Sequence, residues 1–343
     1  MQYPDEPTQA MPAAEVDGLD GSTTAGGPAP SRPRPVVWVL SGLLVVALLA
    51  GVVWFAIESS RANREASIRD AATAYLTAVA DGDAAGALAL LAEPPTNTAL
   101  LTDAVLAEAH LTTPLTEVQA GTLGGDDQNP TVDVTYRLGG REVATTLRLT
   151  GEGRTWKLAD GTGDVVVPER RALTVNGVAL TAETNPAFPG TYTAAPVNDK
   201  VQLQGEPTTT VAAPDQESAR LDVTPALSEA GHQAVLNAVR TRYDACLTAT
   251  DSRPANCPFG VSTEGVEVTE GSVRFVGTND PWAAFAPTLN PDTLTAEGTI
   301  SFAVNATATV TRDGLTLDAV TALSGERGYS VDLTQEPLAV TWR

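Results

Sequence analysis

The two cysteines are the residues whose spacing most directly suggests a chemical role. Cys246 and Cys257 are the only cysteines in a chain of 343 residues, and ten residues separate them. An even cysteine pair in an exported chain favours a disulfide, and the loop around Pro254 allows the chain to fold back. Free thiols or a redox or metal role stay open, although redox sites usually have Cys-x-x-Cys spacing and zinc needs more ligands. The pattern predicts a disulfide between Cys246 and Cys257.

Other polar residues offer few candidates for catalysis or metal binding. The two histidines, His110 and His232, lie on or near predicted helices without a nearby cysteine or clear serine nucleophile, so solvated or capping roles are expected. Residues 81–83 begin like a calcium loop, but alanines occupy its fifth and twelfth positions. Asp126 and Asp127 lie in a glycine-rich segment, which favours a solvated loop. The sequence therefore predicts no catalytic residue, no cofactor and no metal site, and the protein is expected not to be an enzyme.

The charge balance limits the class of partner. The chain contains 42 acidic and 21 basic residues, which gives a formal net charge of −21. A nucleic-acid groove needs basic patches, so this composition argues against nucleic acid as a partner. Hydrophobic residues make up 43% of the chain, enough to bury a core, and the length fits two or three domains.

One apolar segment predicts an attachment to the membrane. Residues 36–57 carry no charge, and as a helix they would be about 33 Å long, enough to cross a hydrocarbon core of about 30 Å. Trp38 and Trp54 lie near its two ends, as residues of the membrane interface do, and Arg32 with Arg34 precedes it. A cleaved signal peptide is the alternative, but 35 residues precede the segment. The pattern predicts a single-pass anchor in the plasma membrane.

The orientation of this anchor rests on weaker signals. Residues 1–35 are rich in proline, glycine and small polar residues, which predicts a disordered tail. Arginines flank both ends of the anchor, because Arg61, Arg64 and Arg69 follow it. The cysteine pair favours an oxidising space, and a long C-terminal region can be translocated regardless of its charge. We therefore expect a cytoplasmic amino end and an extracytoplasmic C-terminal region.

Residues 58–163 predict an α+β domain. Apolar residues at helical spacing indicate helices over 62–80, 84–92 and 98–109. Alternating apolar residues then indicate an antiparallel sheet, and Gly139-Gly140 predicts a two-residue hairpin turn. The predicted strands lie near 118–122, 132–138, 143–149 and 156–158.

This domain resembles the cystatin-like and nuclear transport factor 2-like domains of bacterial envelope proteins. The resemblance rests on the run from Ala71 to Leu76, on residues 81–83, and on a meander that closes with residues 154–158. It implies a cone-shaped fold whose sheet curls around a helix, with a cavity that some members use. Many exported members have no assigned chemistry, and no acid–base pair of the catalytic members can be matched here.

The rest of the chain predicts three further parts. Residues 164–205, with a hairpin turn at Asn176-Gly177, resemble small β modules of Gram-positive envelope proteins, including the teicoplanin-resistance-associated type. Residues 206–218 predict a linker. Residues 219–343 predict a second α+β domain that contains the disulfide, and its cysteine segment resembles exported actinobacterial proteins. The aromatic residues Phe275, Trp282 and Phe285 could line a pocket there, but core packing is favoured.

These expectations lead to two functional hypotheses. The first is a membrane-anchored extracytoplasmic binding or interaction protein of the cell envelope, with an envelope protein as its partner. The alternative is a carrier or sensor of an apolar small molecule, held in the cone of the first α+β domain. A cone interior filled by Tyr75, Leu147 and Trp156 would oppose this alternative.

Overall fold

A computed structural model describes residues 35–343, with side chains described at Trp54 and from Glu58 onward. The chain divides after Ser59 into two compact units, and every described contact below lies in the second unit. The described part is α+β, with four helices and mostly strands. Except for Pro35, the predicted disordered tail lies outside the described residues, as do Arg32 and Arg34.

The first helix, α1 (Pro35–Ala80), is continuous across the segment predicted as an anchor and the segment predicted as a soluble helix. Trp38 lies within this helix, but its side chain is outside the described part, whereas the Trp54 side chain is exposed. Among the described residues, no helix combines the length and apolarity that crossing a membrane requires. The single span over 36–57 therefore stays a prediction.

Residues 62–163 contain the C-terminal part of α1, two short helices and a four-stranded antiparallel sheet. Helix α2 ends before the predicted residue 92, because Leu91 and Ala92 pair with Leu158 of the sheet instead. Helix α3 begins after residue 98, because the Thr102 side chain caps its first turn. The elements are α2 (Ala84–Ala89), α3 (Asp103–His110), β1 (Leu115–Gly125), β2 (Pro130–Leu138), β3 (Arg141–Glu152) and β4 (Thr155–Leu158).

A middle module of short strands follows, and a 3₁₀ turn, Arg170–Ala172, lies between its first two strands. Its sheets have the orders β11-β9-β6-β7 and β12-β5-β8, and β10 pairs with β13 as a two-stranded ribbon. The strands are β5 (Gly163–Val166), β6 (Leu173–Val175), β7 (Val178–Ala179), β8 (Thr184–Ala187), β9 (Gly190–Pro196), β10 (Val201–Glu206), β11 (Thr208–Val211), β12 (Ala219–Arg220) and β13 (Asp222–Leu227).

Part of the predicted linker 206–218 is a strand. Residues Thr208–Val211 form β11, which pairs antiparallel with β9. Three threonines and a valine in succession favour the extended conformation, because β-branched side chains pack well on a pleated sheet. The flanking prolines, Pro207 and Pro214, hid this signal by suggesting a loop.

The C-terminal part packs one helix against a six-stranded antiparallel sheet. The helix buries Val235, Val239, Tyr243 and Cys246 on one face, as its spacing predicts. The elements are α4 (Glu229–Leu247), β14 (Glu267–Val268), β15 (Arg274–Gly277), β16 (Thr288–Asn290), β17 (Thr295–Arg312), β18 (Leu315–Asp332) and β19 (Ala339–Trp342).

The longest feature of this sheet is the hairpin of β17 and β18. Each strand has 18 residues, and the two pair without a register shift from Thr295–Asp332 to Arg312–Leu315. Asp313 and Gly314 have φ angles of 50° and 79°, which a two-residue hairpin turn requires. The sequence shows two separate alternating stretches here, but the strand continues between them through Gly325 and Gly328.

Candidate interaction surface

The outer edge of β18 is open over most of its length. On one side β18 bonds to β17, and on the other side β19 covers only residues 329–332. The Arg343 N–H then donates to the Gly328 carbonyl at 2.8 Å, which ends this second ladder. Elsewhere in the described part of the chain, no strand pairs with the outer side of residues 315–327. We call these thirteen residues the open edge.

The register shows which backbone groups of the open edge face outward. Leu333 donates its N–H to Leu294 on the β17 side, whereas the Gly328 carbonyl faces β19. Because bonding direction alternates along an antiparallel strand, even-numbered residues direct their N–H and C=O groups outward. The outward-facing residues of the open edge are Thr316, Asp318, Val320, Ala322, Ser324 and Glu326.

The open edge has few of the features that usually protect a sheet edge, and its charged residues are limited to Asp318, Glu326 and Arg327. Exposed strand edges are normally blunted by lysine, proline, a bulge or a covering segment. Residues 315–327 contain no lysine or proline, and their ladder with β17 has no bulge. Large apolar side chains are instead exposed along it: Leu315 is 70%, Leu317 51% and Val320 72% exposed. Such an edge is a ready template for another strand.

An apolar groove runs beneath the open edge. The alternation of β17 directs Ala306 and Ala308 inward, and their small side chains leave a cavity of about 300 Å³. Residues between α4 and β15, including Val268 of β14, also line it. The apolar residues that line it include Val261, Val266, Val268, Ala306, Ala308 and Leu323. A strand added to the edge could therefore bury its alternate side chains in this groove.

The surroundings of the groove are acidic. Segments 261–276 and 304–327 contain six acidic and three basic residues, so their formal charge is 3 − 6 = −3. Asp318 accepts a hydrogen bond from the Thr309 hydroxyl at 2.9 Å, and Glu326 accepts one from Ser301 at 3.4 Å. Both carboxylates lie on the outer face of the hairpin and flank the apolar centre of the edge.

The interior of the first α+β domain is filled by side chains. Tyr75, Leu147 and Trp156 are all buried, at 0%, 1% and 5% exposure, and belong to one apolar core. The Tyr75 hydroxyl donates to the Gly161 carbonyl, and burial raises the pKa of Tyr75 well above its ordinary value. These three side chains occupy the place that the carrier hypothesis assigned to a ligand, so the packing argues against that hypothesis.

The two histidines have separate surroundings. The His110 Nε2 atom lies 2.9 Å from the Pro189 carbonyl oxygen and joins α3 to the middle module. Burial lowers the pKa of His110, although the bond to Pro189 partly offsets this effect. His232 lies in the first turns of α4, where its N–H donates to the Ser228 carbonyl at 2.9 Å.

The acidic pairs have structural roles in turns and caps. Asp83 accepts the Gly86 N–H at 2.7 Å and caps α2. Asp126 accepts the N–H groups of Gln128 and Asn129, and these bonds lower its pKa. Asp127 pairs with Arg64 at 2.7 Å. Within the described residues, no three acidic, histidine or cysteine side chains are grouped as a metal site requires.

Phe275 belongs to the core of the C-terminal part, and Trp282 and Phe285 are half-buried and pack against that core. Phe275 is buried, and the Trp282 and Phe285 rings lie 6.0 Å apart between their centres. Phe285 stacks on Tyr329 at 5.4 Å, and Trp282 contacts Tyr243 edge to face. The predicted core packing of these rings is therefore confirmed.

The predicted disulfide is confirmed. Cys246 and Cys257 are bonded, with Cα atoms 5.7 Å apart, a separation typical of disulfides. The bond closes a loop whose Asn256 side chain donates to the Val340 carbonyl at 2.8 Å. Arg242 of α4 donates to the carbonyl of Asn256 as well, at 3.0 Å. The disulfide thus ties α4 to the loop that holds β19, next to the C-terminal end of the open edge.

Comparisons with known proteins identify no relative. No protein-family model matches the chain. No curated protein matches it either, and neither does any solved structure. The function must therefore be argued from the surface itself.

Sequence reasoning missed the open edge. The alternation of Leu315, Leu317 and Ala319 correctly indicates a strand, but it does not tell which neighbour the strand has. One signal was available: Val320 breaks the alternation by placing a large apolar residue on the opposite face. An apolar residue on both faces of a strand suggests that both faces, or the edge, meet another surface.

Proposed function

We propose that the protein is a membrane-anchored, extracytoplasmic binding protein of the bacterial cell envelope that binds a protein partner by strand addition along β18. The observation that carries this proposal is the open edge of thirteen residues above an apolar groove. The apolar segment 36–57 supports an anchor in the plasma membrane, and a cytoplasmic amino end follows from placing the disulfide outside. The Cys246–Cys257 disulfide supports an oxidising compartment for the rest of the chain.

In strand addition, backbone groups of the edge would supply most of the affinity, and side chains of the groove would supply the specificity. The outward N–H and C=O groups would bond to any extended backbone and supply affinity without regard to sequence. The groove would select alternate side chains of the partner, because only apolar ones fit among valines and alanines. A single-pass anchor would confine the protein to the membrane and raise its effective concentration toward other membrane proteins.

The resemblance to cystatin-like and nuclear transport factor 2-like envelope domains agrees with a binding role. We do not propose a carrier of small molecules, because Tyr75, Leu147 and Trp156 fill the interior that such a ligand would need. A non-enzymatic role without cofactor remains part of the proposal.

The proposal is tested by photo-crosslinking in intact cells. A photoreactive residue at Val320 of the full chain is expected to capture a protein, because its side chain stands beside the outward-facing backbone. The matched control is Asn305, which is also exposed but lies on β17 between two paired strands. Equal capture at both positions, or capture at neither, would contradict strand addition.

A backbone variant provides a second test. The Val320 N–H faces outward, so Val320→Pro removes a donor for the partner without removing a bond to β17. Val320→Ser keeps that donor but removes more apolar area than Val320→Pro does, so it controls for the loss of apolar contact. We expect Val320→Pro to lose the photo-crosslink from a probe at Ala322, and Val320→Ser to retain most of it.

A further inference from the structure

We infer that the strand added to the open edge is β18 of a second copy of this chain, paired about a two-fold axis at Thr321. The inference rests on the proposed function, since it names the partner of the same edge. The edge is limited at one end by the turn before Leu315 and at the other by the bond between Arg343 and Gly328. Two antiparallel copies that pair over this whole length place Leu315 opposite Arg327 of the other copy. The midpoint of 315 and 327 is 321, so Thr321 faces itself.

Backbone bonding permits this register. Outward-facing residues are even-numbered, and the register sets even residues opposite even ones, for example Val320 opposite Ala322. Six outward residues on each strand would form six pairs that exchange two bonds each, about 12 hydrogen bonds in all. Thr321 would lie in a non-bonded pair, where opposing Cα atoms are about 4.5 Å apart. A shift by one residue is excluded, because it would oppose outward groups with inward ones.

Side chains on the groove face are complementary in size in this register. Leu317 would stand opposite Gly325, and Leu323 opposite Ala319, so each of these two leucines meets a small residue. By symmetry each contact occurs twice. The arrangement would cover the exposed Leu317 side chain and extend the apolar groove across the axis.

The charges also favour this register over its nearest alternatives. Asp318 would face Ser324, and Glu326 would face Thr316, so no like charges are opposed. A shift of two residues in one direction places Asp318 opposite Glu326, which is repulsive. A shift of two residues in the other direction leaves Glu326 and Arg327 beyond the ladder and shortens it. Of the three registers, the register of full overlap therefore has the longest ladder and opposes no like charges.

The contact is small, and this determines how the dimer should behave. Thirteen residues from each copy are fewer than the roughly 20–30 per side of a stable interface, so the dimer should form only when copies are concentrated. Anchoring in one membrane would provide that concentration. Each copy has a net charge of −21, so added salt should strengthen the pairing by screening repulsion.

A single cysteine tests the axis directly. Thr321→Cys in the full chain, oxidised mildly in membranes, is expected to give a disulfide-linked dimer, since each new cysteine faces its own copy. The native cysteines are already paired and do not compete. Ser324→Cys is the matched control on the same exposed edge, because position 324 would lie six residues, about 20 Å, from its own copy. We expect roughly tenfold more dimer from Thr321→Cys than from Ser324→Cys.

The other outcomes separate this inference from the proposed function. Equal crosslinking of the two variants would indicate random collision and overturn the two-fold register. Absence of the Thr321→Cys dimer, together with capture of a different protein at Val320, would overturn self-pairing and leave strand addition standing. Absence of both would overturn both. A dimer fraction that falls between about 50 and 500 mM salt would also contradict self-pairing, because screening should favour two acidic copies.

Discussion

Replacing both cysteines by alanine should loosen the C-terminal part and leave the first α+β domain unchanged. Alanine is preferred to serine, because Cys246 is 1% exposed and a buried hydroxyl without a partner would add its own penalty. The cysteine pair packs in the core that contains Tyr243 and Phe275, whereas Tyr75 belongs to a different core. The loss of stability should therefore be confined to the C-terminal part.

The length of the closed loop sets the size of the effect. The bonded cysteines are 11 positions apart. In the chain-entropy model, opening a loop of this length costs about 3 kcal/mol of stability. Because 1.4 kcal/mol corresponds to a factor of ten, protection against opening should fall about 100-fold.

Hydrogen exchange followed by mass spectrometry measures this change locally. Amides of α4 should exchange about 100-fold faster in the double variant, whereas amides of residues 62–80 should keep their rates and serve as the internal reference. Reduction of the wild-type protein should reproduce the effect. Unchanged exchange in α4, or an equal loss in both regions, would refute the assignment of this stabilisation to the disulfide.

Two further predictions concern single contacts. Tyr75→Phe removes the hydroxyl that donates to the buried Gly161 carbonyl, so the free energy of unfolding should fall by about 1–3 kcal/mol. Denaturant titration measures this change, and an unchanged unfolding midpoint would contradict the hydrogen bond. Burial depresses the pKa of His110 below its ordinary 6.5, so the fold favours the neutral ring. The unfolded chain then binds more protons, and stability should fall as pH decreases from about 7 through the lower folded pKa. His110→Gln should reduce this loss in melting experiments at pH 7 and pH 5, and an unchanged loss would contradict the role of His110.

Local patterns predicted the local structure well. The two-residue turns at Gly139-Gly140 and Asn176-Gly177 form with positive φ angles, because only such residues reach that conformation at little cost. The apolar face from Ile68 to Val79 is buried as its spacing indicates. These features depend on residues close together in sequence, and therefore the sequence alone predicts them.

Features that depend on distant neighbours were harder to predict. Strand β11 forms because it pairs with β9, and no pattern within residues 206–218 indicates that partner. Likewise, β18 continues through Gly325 because β17 supplies a continuous ladder, although glycine alone would weaken a strand. The open edge follows from which strands do not pair, a property of the whole sheet.

The proposed pairing of two open edges would also limit uncontrolled aggregation. Edge-to-edge association continues into fibres when each copy keeps a second long edge after pairing. Here the opposite side of β17 is occupied by β14, β15 and β16, which have only two, four and three residues. Pairing of two β18 edges about Thr321 would therefore consume the long edge of both copies. A two-fold contact of this kind is closed, because each copy uses the same strand edge to bind the other. Such pairing would therefore limit the assembly to a dimer.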